Sequence, residues 1–257
     1  MSVRAKKHLG QHFLVDKNIC HKIARQYGKH HDCERVLEIG PGMGALTEFL
    51  LVEELDVHVM DIDTESIEYL NENFDGLKGK IYESDFLRSD LKKFMGDDKF
   101  GVVGNFPYNI SSQILFKCLE YRNQIPEIMG MFQKEVAVRV AEKPGTKQYG
   151  ILSVLLQAFY DISYCFTVDE HVFDPPPKVK SGVIRCVRNE RENLDCNEKL
   201  FFQVVKMSFN QRRKTIRNSI KSLLVNLQEP HELLSQRPEQ LSVSQFEELT
   251  RYVETCQ

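Results

Sequence analysis

Short apolar runs alternate with stretches of helical period through most of the chain. "RVLEIG" (35–40) is a run of buried-strand type, and "ALTEFLLVEEL" (45–55) follows it with apolar residues at helical spacing. "DVHVMDID" (56–63) predicts a second strand and "TESIEYLNENF" (64–74) a second helix, capped by Thr64. Three more strands are predicted at 79–85, 100–105 and 127–132, with helices over 111–121 and 134–142. Strand and helix repeated in this way predict a doubly wound, mostly parallel sheet. "YDISYCFTV" (160–168) and "SGVIRCVR" (181–188) predict two further strands, joined by the proline-rich "DEHVFDPPPK", that finish the sheet as an antiparallel pair.

Beyond 188 the pattern changes. "NERENLDCNEK" (189–199) is polar and charged, a candidate linker, and from about 198 onward the period is helical, with breaks near Pro230 and Pro238. The expected organisation is an α/β domain over 1–188 and a small all-helical domain over 189–257. The chain of 257 residues is long enough for both.

Composition narrows the function classes. Charged residues at 28% and hydrophobic residues at 42% fit an ordinary soluble globular protein. No apolar run reaches membrane-span length, and the basic start "MSVRAKKHLGQHF" has no apolar core of a secretory signal. The cysteines form no C-x-x-C pair and are odd in number, as expected of reduced thiols in the cytoplasm. "HHDC" (30–33) has no second half, so no metal is expected. The net charge of −3 hides two basic segments. Residues 1–30 carry Arg4, Lys6, Lys7, Lys17, Lys22, Arg25 and Lys29 against Asp16 alone, and "KMSFNQRRKTIRNSIK" (206–221) holds no acid. Two such patches on a near-neutral chain suggest an oriented polyanion.

The candidate chemistry lies at the carboxyl ends of the predicted strands. Gly40, Gly42 and Gly44 in "LEIGPGMGALT" separate a strand from a helix, and Asp61, followed by Ile62, closes the next strand where a ribose diol is held in such folds. Taken alone, this says only that a nucleoside cofactor binds. The spacing G-x-G-x-G differs from the dinucleotide pattern, and a carboxylate at Glu38 would repel a pyrophosphate while suiting a sulfonium and an ammonium. The balance favours S-adenosylmethionine over a nicotinamide. Asp85 offers an acceptor for an adenine amine, and Phe86 a packing surface.

"GNFPYNIS" (104–111) ends the fourth strand beside this loop. A nucleobase amine is a poor nucleophile because its lone pair is delocalised into the ring. Two acceptors aimed at its hydrogens help it pyramidalise, and the Asn105 side chain with the backbone carbonyl of Phe106 offers them. Pro107 stiffens the turn and removes a competing donor, and Tyr108 supplies a flat face for a flipped-out base. The stretch reads as the tip of an amino-directed methyltransferase.

Together "KKHLGQHFLVD", "LEIGPGMGALT", "GNFPYNIS" and "FDPPPKVKSGV" resemble the KsgA family of ribosomal RNA small-subunit adenine dimethyltransferases, from about Lys6 to the C-terminus. The related Erm methylases share the glycine loop and the N-x-P-Y motif, whereas "PPPKV" and "RRKTIRNSI" sit better with KsgA. The resemblance implies a Rossmann-like methyltransferase domain, S-adenosylmethionine as cofactor, and dimethylation of two adjacent adenines in the 3′-terminal hairpin of small-subunit rRNA. It implies action on a pre-30S particle; a monomer is the default expectation, and the short chain with no extension favours a bacterial cytoplasm. It places the cofactor against His12, Leu14, Gly40, Asp61, Asp85 and Asn105; His12 stands where the family usually has Asn. Phe173 is expected to stack on the target adenine opposite Tyr108, and Lys178 to meet phosphate. Arg212, Arg213 and Arg217 are expected to grip the rRNA backbone, with 213 and 217 on one helical face. A non-catalytic assembly factor and a nicotinamide oxidoreductase are the competing classes; the intact catalytic motifs oppose the first, and Glu38 with the basic patches opposes the second.

Overall fold

Arg35–Ile39 is an inner strand of the main sheet, paired on both edges, with all its residues but Arg35 buried. The computed structural model describes residues 3–28, 33–226 and 229–257. Its strands are β1 (Phe13–Leu14), β2 (Arg35–Ile39), β3 (Asp56–Asp61), β4 (Ile81–Glu83), β5 (Gly101–Asn105), β6 (Glu127–Gln133), β7 (Tyr160–Val168), β8 (Phe173–Asp174) and β9 (Ser181–Arg188). The helices are α1 (Lys17–Gly28), α2 (Thr47–Val52), α3 (Thr64–Asn73), α4 (Lys92–Met95), α5 (Ser111–Glu120), α6 (Lys134–Ala141), α7 (Ile151–Gln157), α8 (Glu198–Asn210), α9 (Ile216–Ser219) and α10 (Val243–Thr255).

The main sheet has the order β4-β3-β2-β5-β6-β9-β7. Strands β2 to β6 pair in parallel, in registers such as Ile39↔Met60 and Asn105↔Met131. β9 runs antiparallel to β6, with Gln133 opposite Ser181. The chain moves from β2 to β3 on one side and returns to β5 on the other, so the strand order reverses between β2 and β5. A crevice opens there at the carboxyl ends of the strands. A second, two-stranded sheet joins β1 to β8, with Leu14 opposite Phe173.

Several boundaries differ from the sequence reading. α3 is capped by Asp63, whose side chain accepts from the Glu65 N–H, while the Thr64 hydroxyl donates to Glu83 at 2.6 Å. β4 shrinks to Ile81–Glu83 at the open edge of the sheet, where it pairs on one side only, with β3.

Contacts divide the chain into two units, Met1–Ala137 with Ile162–Arg188, and Val138–Asp161 with Asn189–Gln257. The second unit thus takes in residues 138–161, which the sequence division at 188 assigns to the first domain. The reason is local: α7 buries Leu152, Val154, Leu155 and Leu156, and it packs on α8 and α10, which bury Phe201, Val204, Phe246 and Leu249. The polar stretch after 188 is fastened down. Glu247 is buried on α10, accepts from Arg191 at 2.8 Å and from the Asp195 N–H at 3.1 Å, and Asn197 caps α8. Charge in this stretch therefore serves a half-buried ion pair as well as solvation.

Candidate active site

The glycine loop after β2 is built on left-handed backbone. Gly42 has φ +56°, and a Cβ there would stand 2.7 Å from the Phe13 ring, so another residue would be strained in its backbone and would push that ring aside. The Gly42 N–H points at Asp61 Oδ2 at 3.4 Å, and Asp61 Oδ1 accepts from the Asp63 N–H at 3.0 Å. Asp61 is buried, and burial pushes its carboxyl above the usual range. It is a buried acceptor met by the backbone N–H groups of Gly42, Ile62 and Asp63.

Asn105 ends β5. Its Nδ2 donates to the backbone carbonyl of His12 at 2.8 Å, which leaves Oδ1 as the acceptor of that amide. Phe106 is buried, edge-on to Phe132 at 5.1 Å, and its N–H donates to the Met131 carbonyl. The main chain at 105–106 is thereby clamped to β6. The half-buried Tyr108 ring stacks on the His12 imidazole, centroids 5.6 Å apart and planes 29° apart, and His12 Nδ1 is 2.7 Å from the Pro175 carbonyl. The Tyr108 hydroxyl bonds Ser181 Oγ.

These groups line one cavity of about 210 Å³. Of the residues singled out in the sequence, His12, Gly40, Gly42, Asp61, Ile62, Asp85, Phe86, Asn105, Phe106, Pro107 and Tyr108 lie on its wall. Leu14 and Glu38 do not. Leu14 is buried in the core. Glu38 is buried one layer deeper and accepts from the Thr47 hydroxyl at 2.6 Å; burial, with the nearby Asp61, pushes its carboxyl up to about 8 despite that bond. It therefore offers no exposed carboxylate to the cavity. Phe173, expected opposite Tyr108, is a core ring paired with Leu14 across the small sheet, and the ring that faces Tyr108 is His12. Lys178 is exposed.

The sequence reading missed the strap that covers this cavity. His8, Leu9, Gly10 and Gln11 also line it, and the strap is tied to the end of β3 by Gln11, which donates to Asp63 Oδ2 at 2.9 Å, and by Lys6, which pairs with the same carboxylate. Burial would raise the Asp63 carboxyl, but Gln11 and Lys6 outweigh it and hold it below its ordinary value. The signal was the second acid of "DID", two residues past Asp61.

In the second unit Arg213 and Arg217 are exposed, but Arg212 is held: its Nη2 donates to the Thr146 carbonyl at 3.1 Å, and its Nε is 3.8 Å from Glu239. Arg213 and Arg217 do not share a helical face, because Thr215 is extended and α9 begins only at Ile216. Among the described residues no cluster is placed to hold a metal; His30, His31 and Asp32 lie outside them.

A reversed-order parallel sheet with an antiparallel end strand, a glycine loop and an Asn-Phe-Pro-Tyr tip on the same crevice define a Rossmann-like methyltransferase. The chain belongs to the ribosomal RNA adenine dimethylase family, whose model matches residues 2–253. It is 58% identical over 250 residues to a ribosomal RNA small subunit methyltransferase A of Cytophaga hutchinsonii, covering 96% of each chain. It is 56% identical over 254 residues to the protein of that name from Flavobacterium johnsoniae, covering 98% of this chain and 97% of the relative. Among solved structures, a dimethyladenosine transferase from Plasmodium falciparum aligns with a TM-score of 0.77 at 26% identity, covering 95% of this chain and 98% of that one. The 23S rRNA methyltransferase ErmE aligns with a TM-score of 0.64 at 25% identity, covering 93% and 99%. The protein is an S-adenosylmethionine-dependent rRNA methyltransferase.

The cavity fits that cofactor. Asp61, a buried acceptor on the cavity wall at the end of β3, suits a ribose diol; Asp85 and Phe86 on the neighbouring wall suit an adenine; the loop at Gly40 and Gly42 admits close backbone approach.

Proposed function

We propose that the protein dimethylates the N6 amines of two adjacent adenines in the 3′-terminal hairpin of small-subunit rRNA, within a pre-30S particle, acting as a cytoplasmic monomer. The observation that carries the chemistry is Asn105, on the cavity wall with Nδ2 committed to the His12 carbonyl and Oδ1 available.

Bound S-adenosylmethionine supplies an electrophilic methyl group on a sulfonium. Asp61, Asp85, Phe86, the Gly40–Gly42 backbone and His12 would hold it. In the first transfer Asn105 Oδ1 and the Phe106 carbonyl accept from the two N–H groups of the amine and draw them out of the ring plane, which returns the lone pair to nitrogen; in the second, one of the two accepts from the single remaining N–H. No strong base is required, because the alkylated nitrogen is acidic and loses its proton to solvent. Pro107 keeps a competing N–H out of this acceptor pair. Tyr108 receives the base. The exposed Lys178, Arg213 and Arg217 serve as phosphate contacts, which position RNA without reading its sequence. Among the described residues no helix is long and apolar enough to cross a membrane.

The test is methyl transfer from labelled S-adenosylmethionine to undermethylated small subunits, with large subunits in parallel, followed by mass analysis of the nucleosides. Dimethyladenosine in the small-subunit RNA alone is expected. Label in the large subunit would place the protein with the Erm methylases, and binding without label would make it an assembly factor.

A further inference from the structure

Stacking a base needs only the face of a ring, and phenylalanine would provide one. Position 108 carries tyrosine, and its hydroxyl is engaged with Ser181 Oγ, 73 residues further along the chain. Ser181 is fully buried at the first position of β9. Its placement is fixed twice: Ser181 pairs with Gln133 across β6, and the Lys180 carbonyl just before it accepts from the Lys134 N–H at 2.9 Å. Tyr108 itself follows Asn105 by one turn at the end of β5, and its carbonyl accepts from Ser111 Oγ at 3.2 Å. A buried hydroxyl needs a partner, and here the two hydroxyls supply each other.

We propose that Ser181 is a positioning residue for the methylation reaction: by anchoring the Tyr108 hydroxyl it fixes where the ring that receives the target adenine stands in the cavity. The inference rests on the base-receiving role of Tyr108 proposed above. The ring has a tether at each accessible feature, Ser181 at the hydroxyl and His12 on the face. Contact with His12 is a stack that an incoming base can replace. The hydroxyl bond lies at the ring's edge and leaves its face clear, so it is compatible with a bound base. Loss of the bond frees the ring to swing about its Cα–Cβ bond and spreads the bound base over geometries that keep its amine away from Asn105.

The experiment is single-turnover methyl transfer to undermethylated small subunits by the wild type, Ser181→Ala, Tyr108→Phe and the double variant, with cofactor affinity and thermal unfolding measured alongside. Each single variant is expected to slow the transfer step about tenfold, as for loss of a buried neutral hydrogen bond, with cofactor affinity unchanged. The double variant is expected to be no slower than either single one, because both remove the same bond. A 2-aminopurine at the target position should report a bound base in Tyr108→Phe that is present but less quenched than in the wild type. Wild-type rates in Tyr108→Phe would overturn the proposal even if Ser181→Ala failed to fold, since that variant keeps the ring and removes only the bond. Multiplying losses in the double variant would also overturn it. Absence of transfer by the wild type would instead overturn the function proposed for the site, and this inference with it.

Discussion

The side-chain amide of Asn105 is held by the main chain of His12: Nδ2 donates to the His12 carbonyl at 2.8 Å, joining the end of β5 to the N-terminal strap. A carbonyl can only accept, so the bond settles which end of the amide is the nitrogen. The acceptor end is thereby left for a substrate amine.

Asn105→Ala removes that acceptor and should lower methyl transfer by about 10²- to 10³-fold, the range seen when one preorganised polar group is deleted from an active site. Binding to small subunits should be nearly intact. Asn105→Asp should be no better, because its carboxylate would face the His12 carbonyl oxygen. Single-turnover rates beside filter binding decide this; unchanged turnover in Asn105→Ala would remove the residue from the chemistry.

The strap supplies a second prediction. Lys6 and Gln11 both bind Asp63, which also caps α3. Asp63→Asn keeps a capping oxygen but loses the charge that Lys6 pairs with. Residues 6–12 should then exchange amide hydrogen faster, and cofactor affinity should fall, while the body of the sheet stays protected. Hydrogen exchange followed by mass spectrometry measures both regions at once. Equal protection of the strap in the variant and the wild type would show that Lys6 and Gln11 do not hold it.

The sheet, the glycine loop and the Asn-Phe-Pro-Tyr tip were legible because each rests on local pattern: an apolar strand, a left-handed turn that demands glycine, a proline after the strand end. Phe173 was misplaced because "VFDPPPK" fixes a stiff extended loop without saying which side of it the ring takes; pairing with Leu14, 159 positions earlier, decides that. Glu38 was misread for a related reason. Its place before the first glycine is visible, but the alternation of a strand covered on both faces turns it towards Thr47. The reach of Tyr108 to Ser181 and of Gln11 to Asp63 depends on tertiary contacts that no spacing encodes.

Glu38 has a measurable consequence. Its carboxyl is raised to about 8 in the folded protein, above the carboxylate range of the unfolded chain. Between those two values the folded state keeps a proton that the unfolded state releases, so this group lowers stability as pH rises through that window and has no effect below it. Glu38→Gln resembles the protonated form and can still meet the Thr47 hydroxyl. Urea unfolding between about pH 5 and pH 8 should show a smaller fall in stability for the variant than for the wild type. Parallel profiles would mean that Glu38 is ionised in the folded protein.

The arginines of the second unit should separate into two kinds. Arg212 is tied to the Thr146 carbonyl and lies near Glu239, so Arg212→Ala should cost about 1 kcal/mol of unfolding free energy through the lost hydrogen bond. Arg213 and Arg217 are exposed, so reversing both to Glu should leave stability nearly unchanged. If they meet phosphates, that double reversal should weaken binding to small subunits and reduce the slope of log affinity against log salt by about 2, one for each contact. Binding titrations at several salt concentrations measure the slope. An unchanged slope would take both arginines off the RNA and leave Lys178 as the remaining phosphate contact among those proposed.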